Sequence, residues 1–277
     1  MKITVLIENT TENEFLYEHG LSLLVEMNDK KILLDAGSSE LFMTNAQKLG
    51  ITFDDLDACV LSHGHYDHSG GFEAVFQNNK SVNLYLRESA VNTYYSANGG
   101  MHEIGIQKDV LAYKERMIFT DNMKQLFDNV YLIPHSAADL DKIGERTKLY
   151  KKTEDELLPD DFEHEQSMVI DTDKGLVIFN SCSHGGMENI VHEVKKVCDN
   201  KNVYAYVGGL HMKGTVNGEE ICTFSEEELD KLCEFVRKEN ISHIYTGHCT
   251  GIVGYDKLKQ RLGNKLGKLT SGRQFQL

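Results

Sequence analysis

His63-Gly64-His65-Tyr66-Asp67-His68 places three imidazoles and a carboxylate within six residues, directly behind the apolar run Ala58-Cys59-Val60-Leu61. Neutral imidazole and carboxylate are ligands suited to zinc, iron and manganese. In extended backbone the side chains of residues i and i+2 share one side, so His63 and His65 are expected to grip one ion. Ser69-Gly70-Gly71 followed by Phe72-Glu73-Ala74-Val75-Phe76 reads as a turn into a helix. That change of direction aims Asp67 and His68 at a second point. Gly64 removes a Cβ where the backbone must pass close to the ions. A structural zinc would close its shell with four protein ligands, usually including Cys. Cys59 sits in the apolar strand and reads as core, so the pattern points to an open, reactive site.

Each ion needs further ligands. His184 lies in Ser181-Cys182-Ser183-His184-Gly185-Gly186, after the apolar run Val177-Ile178-Phe179-Asn180. His248 lies in Gly247-His248-Cys249-Thr250-Gly251, after Ile241-Ser242-His243-Ile244-Tyr245. A strand end feeding a glycine-rich turn is where α/β enzymes place chemistry. The expected scheme assigns His63, His65 and His184 to one ion, and Asp67, His68 and His248 to the other. His211, in Val207-Gly208-Gly209-Leu210-His211-Met212, stands in the same context and reads as a proton shuttle or oxyanion contact. Backbone N–H groups of Cys249-Thr250-Gly251 suit a phosphate or oxyanion. His19, His102, His135, His192 and His243 lack such context and read as ordinary surface or core residues.

The elements that must position these residues follow an α/β pattern. Residues 3–8, 21–27, 31–35, 57–62 and 82–86 read as strands, and Ser38 or Ser39 caps a helix that Gly50 stops. In the second half, residues 167–171 and 175–180 read as a hairpin, 187–198 as an amphipathic helix, and 203–207 and 241–246 as strands. Ser225-Glu226-Glu227-Glu228 is a capping box ahead of Leu229, Leu232, Cys233 and Val236 at helical spacing. Two sheets face to face with helices outside, a four-layer αββα sandwich, would bury both halves. One domain over residues 1–277 is expected. Residues from about 89 to 161 read as an insertion near the active site, with residues 148–158 helical or loose.

At 277 residues and 40% hydrophobic content the chain can build a sizeable core. A net charge of −14 disfavours nucleic acid and anionic membranes as partners, but not an anionic substrate held by divalent ions. No segment reaches the roughly 18 apolar residues of a membrane span. The first residues read as a strand rather than an export signal, and the six cysteines show no CxxC spacing, so free thiols and the cytoplasm are expected. The oligomeric state is not legible.

The histidine motif resembles the His-x-His-x-Asp-His signature of the metallo-β-lactamase-fold superfamily. Ile32-Leu33-Leu34-Asp35-Ala36-Gly37 is similar to that superfamily's first motif, an apolar strand ending in Asp and Gly. The segments around His184, His211 and His248 resemble the branch named for the methanopterin-pathway dihydropterin synthase. The resemblance covers essentially the whole chain and implies the same αββα sandwich, with metals at the upper edge between the sheets. The chain departs from the common pattern at one point. Most members carry Gly-Asp after the strand matching residues 177–180, and that Asp bridges the ions; Ser181-Cys182 stands here. Cys182 as thiolate, or a water alone, would take the bridging place. Most members also carry a His upstream of that Asp, and His164 is the nearest equivalent, so His164 competes with the preferred His184 as third ligand.

These readings predict an enzyme holding one or two divalent ions, zinc first, with manganese or iron as alternatives. Its metal-activated water would attack a small ester, lactone or phosphoester. Asp67 would orient that water and take a proton, and His211 would act beside it. The branch name supplies a second reading, a transferase joining a pterin to an aminobenzene ribofuranosyl phosphate. A third is a non-catalytic metal-binding or sensing module.

Overall fold

The segment KITVLI is apolar or β-branched at five of its six positions, and it forms the strand Lys2–Ile7, buried along nearly its whole length. It is one of seven strands in the first sheet of a computed structural model that describes all 277 residues. The chain separates into two compact units. One comprises Met1–Met123, Pro134–Gln166 and Thr270–Leu277; the other comprises Lys124–Ile133 and Ser167–Leu269.

In the first unit the sheet order is Gln274–Gln276, Lys2–Ile7, Ser22–Met27, Lys30–Leu34, Ala58–Val60, Leu84–Leu86 and Met117–Phe119. The first three pairings are antiparallel and the last three parallel. Helices Leu41–Lys48 and Phe72–Asn78 lay Phe42, Ala46, Phe72, Val75 and Phe76 on Leu6, Leu24, Leu33 and Cys59 of this sheet. At the start of the first helix the Ser39 hydroxyl accepts the Leu41 N–H at 3.2 Å, as its sequence suggests. The N-cap position itself is Glu40, without a side-chain cap. The N–H groups of Ser38 and Ser39 donate to Glu18 Oε1 at 3.1 and 3.0 Å. A carboxylate from a distant loop thus ties down the turn before the helix, and its Oε2 also accepts the Ser39 hydroxyl at 2.6 Å.

The expected insertion is divided between the units, since Lys124–Ile133 belongs to the second. Its remaining strands form an antiparallel four-stranded sheet in the order Leu157–Pro159, Leu149–Lys152, Tyr94–Ser96 and His102–Glu103. Residues 148–158, expected to be helical or loose, are therefore a strand pair. Lys148 adopts φ 58° and ends the helix Leu140–Thr147, and Tyr94–Ser96 then offers the following residues a partner edge.

The second unit carries its own seven-stranded sheet, in the order Leu266–Lys268, His243–Thr246, Val203–Val207, Gly175–Phe179, Gln166–Thr172, Val130–Pro134 and Lys124–Phe127. Gln166–Thr172 and Gly175–Phe179 form the expected hairpin. Gly175–Phe179, Val203–Val207, His243–Thr246 and Leu266–Lys268 run parallel. Helices Met187–Val197, Glu226–Lys238 and Gly251–Leu262 bury Ile190, Val194, Leu229, Val236 and Leu258 in one cluster with Leu176, Ile178, Tyr206 and Ile244. The capping box is formed: Glu228 N–H donates to Ser225 Oγ at 3.2 Å, and Ser225 N–H to Glu228 Oε2 at 2.8 Å.

Parallel neighbours put successive loops at one sheet edge. In the first unit the loops after Lys30–Leu34 and Ala58–Val60 carry Asp35 and the histidine motif. In the second, the loops after Gly175–Phe179, Val203–Val207 and His243–Thr246 carry His184, His211 and His248. No helix is long and apolar enough to cross a membrane.

Candidate metal centre

Asp35 organises the motif from below. It is fully buried and holds φ 56°, a left-handed conformation at the end of its strand. Its Oδ1 accepts the Ser62 N–H at 2.8 Å; its Oδ2 accepts Ser62 Oγ at 2.7 Å and meets His68 Nδ1 at 2.7 Å. His63 Nδ1 lies 2.8 Å from the same Ser62 hydroxyl. A carboxylate on Nδ1 orients an imidazole and leaves Nε2 as the donor for a metal. The His63 and His68 rings are 4.2 Å apart between centroids, and the His63 and His65 rings 4.6 Å. The Nε2 atoms of His63 and His65 are both buried. Burial first, then the neighbouring His164, pushes His65 down to about 3, so it is neutral and ready to ligate across physiological pH. Clustered imidazoles backed by a carboxylate fit divalent metal ions.

The geometry differs from a simple extended segment. The strand ends at Val60, and Asp67 and His68 lie on the short helix Tyr66–Ser69. Gly70 lets this helix touch the first loop; a Cβ there would lie 2.1 Å from Ser38 O.

His164 is also in this unit and buried, with its ring centroid 5.2 Å from that of His65. Both of its ring nitrogens are engaged, by Gly64 N–H at 2.9 Å and by Asp160 Oδ2 at 3.0 Å. Burial pushes the Asp160 carboxyl up, but the adjacent His164 and its hydrogen bond outweigh this and hold it below the ordinary range.

His19 had no sequence context, yet its Nε2 lies 3.2 Å from Asp67 Oδ2 on a ring that is half exposed. The loop before Ser22–Met27 returns to the motif, where Leu21 N–H donates to Asp67 O at 3.3 Å. Asp160 was likewise missed. Neither residue lies near the motif in sequence, and only the folded loops bring them there.

In the second unit the three loops lock together. Gly209 N–H donates to Ser181 O at 2.7 Å, Leu210 N–H to Thr250 Oγ1 at 2.9 Å, and Met212 N–H to Cys249 O at 2.9 Å. Gly208, at φ 142°, passes so close to Asn180 O that a Cβ would lie 1.8 Å away. This brings the His184 and His211 rings to 4.4 Å between centroids. Ser183, His211 and His248 all hold positive φ, at 54°, 47° and 49°. Such conformations are rare outside glycine and concentrate at functional sites. Cys182 is buried, and Cys249 Sγ donates to its carbonyl oxygen at 3.5 Å. Burial would raise the Cys249 thiol, but hydrogen bonds with Cys182 and His211, and the nearby His248, hold it well below its ordinary value. His211 N–H lies 3.3 Å from Cys249 Sγ, and its buried Nδ1 makes no hydrogen bond with protein atoms.

Residues 13–143 match the family model described as anti-Pycsar protein Apyc1. The Apyc1 of Saccharibacillus brassicae is 30% identical over 122 residues, 41% of this chain and 50% of that protein. The 7,8-dihydropterin-6-methyl-4-(β-D-ribofuranosyl)-aminobenzene-5'-phosphate synthase of Methanocaldococcus jannaschii is 26% identical over 99% of this chain and 95% of its own length. Among solved structures, Tm1679, described as a metal-dependent hydrolase of the β-lactamase superfamily, superimposes with a TM-score of 0.82 and 28% identity, covering 100% of this chain and 99% of that one. The chain therefore has the metallo-β-lactamase fold.

Proposed function

We propose that this protein is a metal-dependent hydrolase acting on a small ester, lactone or phosphoester. The observation that carries the reading is the Asp35–Ser62–His68–His63 network, in which one buried carboxylate and one hydroxyl orient two imidazoles of the motif. The whole-chain likeness to a metal-dependent hydrolase supports it. His63, His65, Asp67 and His68 of the first unit, and His184, His248 and Cys182 of the second, are the candidate ligands of one or two divalent ions, zinc first and manganese or iron next. A bound divalent ion would supply an acidified water and an electrophile for the substrate oxygen. Asp67 orients the attacking water and accepts its proton. His211, whose buried Nδ1 makes no hydrogen bond with protein atoms, is the candidate proton carrier of the second unit.

The test joins metal content to turnover. Purified protein grown with added metal should hold one to two equivalents, and a phosphodiester, ester or lactone should be hydrolysed by the wild type and not by His65→Ala. Less than half an equivalent of metal would sink the reading. One specific observation favours a second reading, the likeness over 99% of the chain to a dihydropterin-linked synthase. Metal binding without hydrolysis, together with coupling of a dihydropterin to an aminobenzene ribofuranosyl phosphate, would select that transferase. Metal binding with neither activity would leave a sensing module.

A further inference from the structure

One buried pair joins the four-stranded sheet of the first unit to the metal-binding loop. His164 Nδ1 accepts the Gly64 N–H at 2.9 Å, and Nε2 donates to Asp160 Oδ2 at 3.0 Å. An amide can only donate, so Nδ1 carries the lone pair and Nε2 the proton. Asp160 is fully buried and fixed in turn. Its Oδ1 accepts the Phe162 N–H at 2.9 Å, and its own N–H donates to the carbonyl of Leu149, the first residue of strand Leu149–Lys152, at 2.9 Å. Gly144 of the helix Leu140–Thr147 packs so tightly on it that a Cβ would lie 2.1 Å from Asp160 O. Tyr94, on the neighbouring strand, lays its ring 4.1 Å from that of His164 and donates its hydroxyl to Ser89 O at 2.7 Å.

Gly64 is held from the other side as well, since a Cβ on it would lie 2.4 Å from Ala90 O. Tyr66 N–H then donates to Ile104 O at 2.9 Å, just past strand His102–Glu103. The backbone between His63 and His65 is thus gripped by residues of one small sheet and its flanking loops. Turning the His164 ring toward an ion would leave the Gly64 amide and the Asp160 carboxylate buried and unpaired, an arrangement proteins avoid.

We infer that Asp160 and His164 are a positioning pair, which holds the backbone at Gly64 so that His63 and His65 keep their aim at a metal ion, and that His164 is not itself a ligand. The inference rests on metal binding by His63 and His65. Full-length wild type, His164→Ala, His164→Asn and Asp160→Asn are compared by metal content at saturation and by affinity in chelator competition. All four should hold the same number of ions. His164→Ala should bind them about 10- to 100-fold more weakly, the usual loss when an outer partner is removed. Asn Oδ1 can stand where Nδ1 accepts the Gly64 N–H, so His164→Asn should recover most of the affinity, with Asp160→Asn between the two. Loss of one ion from both His164 variants would make the residue a ligand and overturn the inference. So would wild-type affinity in His164→Ala and Asp160→Asn, or failure of Asn to recover what Ala loses. If His164→Ala does not fold, His164→Asn and Asp160→Asn carry the comparison: equal ion number with an affinity loss that is larger in Asp160→Asn than in His164→Asn supports the pair, and a missing ion in His164→Asn or unchanged affinity in Asp160→Asn overturns it. A wild type that binds no metal removes the metal-site reading itself, and the pair's role with it.

Discussion

Asp35 shows how one residue can matter without touching a substrate. It is buried, strained in φ, and spends both carboxylate oxygens on Ser62 and His68. Asp35→Asn keeps the shape but removes the charge and turns one oxygen into a donor that meets Ser62 N–H or His68 Nδ1 badly. We expect metal affinity to fall about 10- to 100-fold, read by chelator competition; an unchanged affinity would show that His68 is oriented by packing alone. The resemblance at residues 32–37 made Asp35 legible as a motif residue, though not as the group that orients His68. His19 and Asp160 were not legible, because a half-exposed loop histidine and a lone aspartate carry no local pattern. Their roles come from contacts across 48 residues to Asp67 and 4 residues to a histidine that is itself remote from the motif.

At the level of elements, the helices form where apolar spacing and end signals agree. Glu226–Lys238 has its full capping box, and Glu226 also ties it to Gly251–Leu262. Hydrogen bonds from Lys257 and then Arg261 hold the Glu226 carboxyl below its ordinary 4.5. A depressed carboxyl contributes stability above its unfolded pKa and loses it as pH falls through the folded one. Glu226→Gln should therefore lower the melting temperature slightly at pH 7, and the difference should close below pH 4.5 and shrink in high salt. A gap that persists in acid would assign the effect to packing. The strand pair over residues 149–159 escaped a sequence reading because charge-mixed segments such as KLYKKTEDELL show neither helical nor alternating periodicity. Pairing with Tyr94–Ser96, more than 50 residues away, decides their form.

For the molecule as a whole, each unit has its own sheet and its own apolar cluster. A metal that binds only the folded chain stabilises it by mass action, about 2.7 kcal/mol at a free concentration of 100 times Kd. Chelation should lower the melting temperature by several degrees, re-addition of zinc should restore it, and His65→Ala should show neither response in calorimetry. A melting curve indifferent to metal would speak against the ligand assignment. The sequence alone determined the α/β class, the grouping of candidate metal ligands at residues 63–68 and the strand-end loops at His184, His211 and His248, since ligand type, spacing and apolar periodicity are local properties. Only the tertiary structure decided which carboxylate backs which imidazole, that both nitrogens of His164 are engaged, and that His19 reaches Asp67. Those facts depend on loops from separate strands converging, and no local pattern encodes where a chain returns to.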